Sequence, residues 1–359
     1  MGAPLFSFCI PQYNRTSFLL RELESIAAQT FRDFEICISD DCSTDGRGDE
    51  LKQFLENTGV KFKLTRTEGN LGYDKNLRRS IELAEGRYCF LMGNDDMLAG
   101  PKTLSNLARE IEKQNWPEVI ITNYRELGTG VEFRRMPRAG ILGSGPEIAA
   151  ANYRNFGFVS GIILDRSLAR EHATEKWDDI AMYQMYLGTR ILAKGGRLSG
   201  VPDVLILKDI QIPGERAESH LAKPVIKNCP IIERPLNLEP IGRLVFDAIE
   251  PCVGPREREK FARKIFGDLL CYTYPPWLFE YRKAQSWRYA LGVCLGMCPK
   301  NLLRGITVSP VTRIYLKTLH AVVSFIGLTA PISVFQNVKP RLYRLAKRER
   351  KLGGQVAAT

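Results

Sequence analysis

Two clusters of acids follow short apolar runs. Asp40-Asp41-Cys42-Ser43-Thr44-Asp45 comes after Phe34 to Ser39, and Asn94-Asp95-Asp96 comes after Tyr88 to Met92. Adjacent carboxylates behind a buried strand repel one another unless a cation or N–H donors hold them, so a divalent ion with oxygen ligands is the economical chemistry. The plain alternatives are a helix N-cap for the first cluster and an Asx turn for the second. Between them, Asn70-Leu71-Gly72-Tyr73-Asp74-Lys75-Asn76 occupies a strand-to-helix turn. There a glycine allows close backbone approach and helix N–H groups can face a phosphate, although an ordinary helix entry has the same pattern. A third pair, in Trp177-Asp178-Asp179, precedes a helical run from Ile180 to Ala193. By itself it reads as a helix cap with an acidic first turn.

These acids need a frame that brings them to one edge. From Leu5 to about Thr122, β-branched and aromatic runs alternate with helical periodicity, the pattern of βαβ units and a mostly parallel sheet. Strands are expected at Leu5–Ile10, Phe34–Ser39, Val60–Thr65, Tyr88–Met92 and Glu118–Thr122, with helices at Thr16–Ala28 and Gly48–Asn57. A further helix carries Leu77, Ile81 and Ala84 on one face, and another after Pro101 carries Leu104, Leu107 and Ile111. A strand at Val159–Leu164, a helix from Asp179 to Ala193 and a strand at Arg197–Leu205 follow. In such a sheet the ligand crevice lies at the carboxyl ends of the strands, where the acidic clusters fall.

Six motifs in order carry a resemblance over about the first 125 residues, and more loosely to residue 209. They are Ile10-Pro11-Gln12-Tyr13-Asn14-Arg15; Ser25-Ile26 with Gln29-Thr30; Glu35 with the Asp40–Asp45 loop; Asn70-x-Gly72-x-x-x-Asn76; Ala84-x-Gly86-x-Tyr88; and Gly93-Asn94-Asp95-Asp96. Together they resemble the nucleotide-sugar-binding half of the inverting family 2 glycosyltransferases, which have the GT-A fold. The resemblance implies that Pro11, Tyr13 and Arg15 line a nucleotide pocket, with Asn70, Gly72 and Asn76 alongside, and that Asp40 or Asp41 bonds the base or ribose. Asn94-Asp95-Asp96 matches the D-x-D motif with Asn first. Asp96 is then the ligand of a divalent cation, Mg2+ or Mn2+, and Asp95 faces the ribose. Asp178-Asp179 stands where the family carries its general base, Asp179 ahead of Asp178. Many relatives close the domain with a histidine where this chain has Lys208-Asp209, which removes a third protein ligand from the expected metal set. The expected donor is a nucleotide diphosphate sugar and the acceptor a saccharide or lipid-linked saccharide. The expected organisation is a nucleotide-sugar half over 1–125, an acceptor half over 126–210, a linker or cover over 211–240 and a helical basic region over 241–359.

The chain has 359 residues, 44% hydrophobic and 25% charged, as a folded protein should. Residues 1–220 hold 28 Lys+Arg against 31 Asp+Glu, whereas 221–359 hold 23 against 9. From Tyr281 onward there are 14 basic residues and one acid, Glu349, which suggests an anionic partner such as a phospholipid surface. Leu319–Gln336 is an uncharged stretch of 18 residues, read as a buried or interfacial helix pair beside the basic run Arg341, Arg344, Lys347, Arg348, Arg350 and Lys351. No nucleic-acid-binding motif accompanies the charge. Nine scattered cysteines without a C-x-x-C pair read as reduced thiols. The N-terminus has no secretory pattern, so a cytoplasmic location, on the inner face of the membrane if the tail binds lipid, is expected. His172, His220 and His320 form no zinc-hydrolase pattern.

Two rival readings stand beside this one, the first of which keeps the nucleotide site. A nucleotidyltransferase making activated sugars would need a glycine-rich loop after the first strand, where this chain has Pro11-Gln12-Tyr13-Asn14. A membrane-surface binding protein with a vestigial GT-A domain would explain the basic tail but not the retained acids.

Overall fold

A computed structural model describes residues 2–215, 238–284 and 287–337. The first apolar runs form strands β1 (Phe6–Gln12), β2 (Phe34–Asp40), β3 (Phe62–Arg66) and β4 (Tyr88–Leu91). Between them lie helices α1 (Thr16–Ala27), α2 (Gly48–Asn57) and α3 (Tyr73–Leu83). β1 pairs in parallel with β2 and with β4, and β2 with β3, so their carboxyl ends share one edge. Then come β5 (Met97–Leu98), α4 (Thr103–Lys113), β6 (Val119–Glu126), β7 (Glu132–Phe133), β8 (Gly140–Gly143), α5 (Pro146–Asn152), β9 (Ile162–Asp165), α6 (Arg166–Glu171), α7 (Tyr183–Ala193) and β10 (Leu198–Lys208). The sheet order is β3-β2-β1-β4-β9-β6-β10-β5, with β7 against β6 and β8 against β10.

The expectation of a mostly parallel sheet holds for β3-β2-β1-β4 and for β6 with β10, but β9 between them runs antiparallel to both neighbours. The cause is where the chain enters: Ile162 starts opposite Leu91 at the carboxyl end of β4 and the strand runs back to Asp165 opposite Tyr88. This reversal brings Ser160 and Gly161 to the edge where the acids gather, and Gly161 N–H donates to the Leu91 carbonyl at 3.1 Å.

The apolar faces read from the sequence are the faces that pack. Leu19, Leu23 and Ile26 of α1, Leu51 and Leu55 of α2, and Leu104, Leu107 and Ile111 of α4 are buried against Phe6, Phe8, Ile36, Ile38 and Phe90 of the sheet. Each such side chain contributes roughly 1.5–3 kcal/mol by leaving water. One buried charge is built into this layer. Glu35 on β2 accepts from Ser7 Oγ at 2.7 Å and from the N–H groups of Glu85 and Gly86 at 2.6 and 3.1 Å, with Lys61 and Lys63 nearby. It pins the turn that feeds α3 into β4.

The described residues fall into two units, one within Met1–Gly145 and Tyr153–Glu218, the other within Pro146–Asn152 and Ser219–Thr359. The second unit is helical: α5, α8 (Leu238–Ile249), α9 (Pro255–Asp268), α10 (Tyr274–Ala284), α11 (Trp287–Gly296), α12 (Pro299–Leu302) and α13 (Pro310–Thr329). Ser309 caps α13 by accepting from Thr312 N–H, and Glu259 of α9 accepts from Ser309 N–H at 2.7 Å. At the other end Arg282 donates to the carbonyls of Gly327 and Ala330. The uncharged stretch from Leu319 to Gln336 is therefore not one helix. α13 begins nine residues earlier and stops because Ala330, extended ahead of Pro331, cannot continue it. Nor is α13 buried, since only 22% of its most apolar stretch is inside the protein. Among the described residues it is the one helix long and apolar enough to cross a membrane by length and composition. The basic run Arg341–Lys351 and the proline-spaced stretch up to residue 237 lie outside the described residues.

Gly86 offers a direct test of this frame. A Cβ there would stand 2.9 Å from the backbone of Phe6 and of Ser7, and backbone cannot move aside as a side chain can. Gly86→Ala is expected to lower stability by about 1–3 kcal/mol, read as a shifted urea midpoint. An unchanged midpoint would mean that β1 and the turn before β4 are not packed this closely.

Candidate active site

The carboxyl end of β1 is a hub of amide hydrogen bonds. Asn76 Nδ2 donates to the Gln12 carbonyl at 3.0 Å and Asn94 Nδ2 to Gln12 Oε1 at 2.6 Å. Asn76 and Asn94, expected beside the nucleotide, each use an amide N–H to hold the end of β1. Pro11 is buried within β1, while Tyr13 beyond it is 42% exposed. Asp40 accepts from Arg66 at 3.0 Å and from Ser43. Asp41 accepts from the N–H groups of Leu71 and Gly72, at 2.7 and 2.9 Å, and from Thr67. The acidic pair after β2 therefore organises two loops. Asp41 shapes the turn Asn70–Gly72, in which the Asn70 side chain also accepts from Gly72 N–H at 3.1 Å. Gly72 itself has φ +89, a conformation other residues rarely adopt.

Asp95 and Asp96 follow β4. Arg15, the residue before α1, pairs with Asp95 at 2.5 Å. Asp96 is almost fully buried; it accepts from Ser160 Oγ and from Asp209 N–H at 3.0 Å. Burial, reinforced by the neighbouring Asp95 charge, pushes the Asp96 carboxyl up to about 8. Lys208 pairs with Asp209, whose backbone N–H is the one that meets the Asp96 carboxylate. Three participants here carry no legible motif. Ser160 is fixed by accepting from Gly93 N–H at 2.8 Å. Arg135 donates to the carbonyls of Thr122, Phe158 and Ser160 at 2.7–2.8 Å, and burial lowers it to about 10. Glu22 of α1 is fully buried, and Asp96 and Asp95 both act on its charge.

The donors here are hard oxygens, which suits Mg2+ or Mn2+, ions that complete their shells with water and substrate oxygens. A buried acid lifted to about 8 is also what a cation would relieve. No three acidic, histidine or cysteine side chains among the described residues converge enough to hold an ion unaided.

The helix expected from Asp179 or Ile180 starts at Tyr183 instead, because α3 captures the turn before it. Asp74 accepts from the N–H groups of Ile180, Ala181 and Tyr183 at 2.8, 2.7 and 2.9 Å, satisfying donors that a helix entry leaves without intrahelical partners. Arg78 holds Asp178 through two bonds of 2.7 and 3.0 Å. Asp178 is thereby committed, whereas Asp179 is exposed, with φ +66, and its Oδ1 lies 3.6 Å from where a Cβ on Gly72 would stand. Neither Asp74 nor Arg78 could have been singled out by spacing, because their partners are about a hundred residues away.

Residues 7–169 match the description "Glycosyl transferase family 2". This domain belongs to the family 2 glycosyltransferases. The abequosyltransferase RfbV of Salmonella typhimurium is 32% identical over 202 residues, which are 52% of this chain and 57% of that protein. A PGL/p-HBAD biosynthesis glycosyltransferase of Mycobacterium bovis is 37% identical over 120 residues, 33% of this chain and 46% of its own length. The match thus spans about half the length of these curated relatives. Among solved structures, Staphylococcus aureus TarS 1-349 in complex with UDP superposes with a TM-score of 0.60 at 17% identity, over 93% of this chain and 92% of that one. The mannosyltransferase PcManGT from Pyrobaculum calidifontis, in complex with GDP-Man and Mn2+, superposes at 0.52 and 16% identity, over 91% and 88%. At such identities the likeness shows the fold, which is GT-A.

The raised Asp96 carboxyl makes the stability of the metal-free family 2 domain depend on pH. An unfolded aspartate ionises near 4, whereas Asp96 keeps its proton to about 8, so the folded state binds the extra proton between these values. This contribution therefore falls as pH rises from about 4 to 8. Urea midpoints at pH 5 and 8.5 should fall more steeply for the wild type than for Asp96→Asn. Equal slopes would mean that Asp96 is not held protonated.

Proposed function

We propose that this chain is an inverting glycosyltransferase that moves a sugar from a nucleotide diphosphate donor to an acceptor hydroxyl. The observation that carries the reading is the pairing of Asp95 and Asp96 after β4 with a free carboxylate, Asp179, held beside the Asn70–Gly72 turn. Asp96, with Asp95 next to it, would hold a divalent cation, Mg2+ or Mn2+, which supplies Lewis-acid stabilisation of the departing diphosphate. Tyr13 and Arg15 lie where the donor's nucleotide would enter, and Arg15 also offsets the Asp95 charge. Asp179 takes the acceptor proton; Asp178 sets its position through Arg78. Single displacement from the face opposite the leaving group inverts the anomeric centre, by analogy with one-step glycosidases.

The acceptor is a saccharide or lipid-linked saccharide of a surface glycan, a reading supported by the names of the relatives. The location that goes with this reading is the cytoplasm. The glycine-rich loop of a nucleotidyltransferase is absent after β1, where Pro11 and Gln12 still belong to the strand.

Thermal shift across UDP-, GDP-, CDP- and TDP-sugars with Mn2+ should single out one donor. Failure of every donor to stabilise the protein, together with no donor hydrolysis, would overturn the reading. With that donor, Asp179→Asn is expected to keep the stabilisation and lose about 10²–10⁴-fold in kcat. Asp178→Asn should lose less, through displacement of the turn. A dead Asp178 variant beside an active Asp179 variant would transfer the base to Asp178.

The helical unit carries the second part of the reading, docking on an anionic membrane surface. Val311, Ile314, Val322, Phe325 and Ile326 of α13 and Trp287 of α11 are each at least half exposed. The sequence after Tyr281 adds its 14 basic residues against one acid. Such a surface combines an apolar, salt-resistant component with roughly 1 kcal/mol for each basic residue near anionic lipid. Full-length protein should sediment with phosphatidylglycerol liposomes, partly released by salt, and Phe325→Ser with Ile326→Ser should reduce the salt-resistant fraction. Equal, negligible sedimentation of both at low salt would leave a soluble acceptor as the better reading.

A further inference from the structure

Glu22 stands on the core face of α1, between Leu19 and Leu23 and one turn before Ile26, and is wholly inaccessible to solvent. Neither of its carboxylate oxygens has a hydrogen-bond partner among the described residues. An unpaired acid buried in this way costs several kcal/mol, so it either keeps its proton or serves a charge that the protein does not itself provide. Its surroundings bear on that choice. Glu22 lies seven residues after Arg15, so the same side of α1 presents Arg15 to Asp95 and, two turns on, Glu22 toward the interior. α1 also packs on β5, directly after Asp96, where Leu98 N–H donates to Ser25 Oγ and Ser25 Oγ donates to the Glu22 carbonyl. Burial pushes the Glu22 carboxyl well above the usual range, with Asp96 and then Asp95 adding to it, so all three carboxylates share one field. Arg15 pairs with Asp95.

We propose that Glu22 is a third acid of the cation site at Asp95 and Asp96, a positioning residue whose carboxylate acts from behind the direct ligands. The proposal rests on reading Asp95 and Asp96 as a cation site. No three acids among the described residues converge enough to grip an ion directly, so the role proposed for Glu22 is in the outer layer, where a carboxylate orients ligands or bound water. The spacing of Leu19, Leu23 and Ile26 alone would have called for an apolar side chain at position 22.

The test is Mn2+ affinity of the full chain, measured by electron paramagnetic resonance of free Mn2+ with and without UDP, for the wild type, Asp96→Asn, Glu22→Gln and Glu22→Met. The wild type should bind and Asp96→Asn should not. Both Glu22 variants should bind about 10–100-fold more weakly, the range for lost outer-layer partners. In metal-free buffer they should melt no lower than the wild type, because a buried unpaired acid has been removed. Glu22→Met covers the case in which the glutamine amide prevents folding. Affinities within twofold of the wild type for either folded Glu22 variant, with Asp96→Asn dead, would make Glu22 a protonated filler of the core and overturn the inference alone. No Mn2+ binding by the wild type in either condition would overturn the underlying site and this inference with it.

Discussion

Acidic side chains gathered without full compensation at the end of β4 are the constraint around which the sheet domain is arranged. Asp95 and Asp96 stand where the chain leaves a buried strand, with Asp209 and Glu22 adding to the same field. Arg15 neutralises one acid, Ser160 and a backbone N–H stabilise another, and Lys208 engages Asp209. The antiparallel β9 and the buried Arg135 follow from this need. Only a strand entering at the carboxyl end of β4 places Ser160 against Asp96, and only a multivalent donor such as guanidinium can fix three carbonyls of the loops around it. The result is a site short of positive charge, a condition that suits a divalent ion and a diphosphate arriving together.

Helix α3 links the two sides of that site. Its entry, Gly72, is shaped by Asp41 just after β2, while Asp74 and Arg78 on its first two turns hold the segment Asp178–Tyr183. One rigid element therefore sets both the turn that would face the donor and the acid proposed to act on the acceptor. The division of labour within Asp178-Asp179 has a physical cause. Both oxygens of Asp178 are engaged by the Arg78 guanidinium, while its exposed neighbour carries no such bond.

The helical unit follows another logic. Its inner contacts, Glu259 on Ser309 and Arg282 on the last carbonyls of α13, satisfy both ends of a helix whose outer face stays apolar. Polar bonds at the ends let the helix stay ordered without burying that face, which then remains available to a surface.

The alternation of strand and helix, the core faces of α1, α2 and α4, and the gathering of acids at strand ends were legible from residue order alone, because hydrophobic period and strand–helix alternation are local properties. The family resemblance was legible too, since six short motifs occur in order. What the order of residues could not decide was how acids are shared out among partners. Asp41 holds a loop and Asp178 is held by Arg78, while the amides of Asn76 and Asn94 donate to Gln12, each through contacts dozens of residues apart. The start of α7 moved to Tyr183 for the same reason: three N–H groups went to Asp74, and a side chain 106–109 residues away can end a helix that local pattern would extend. Glu22 is the sharpest case. Its position on α1 reads as core, and only the packing of α1 beside Asp95 and Asp96 turns a buried carboxyl into part of their electrostatics.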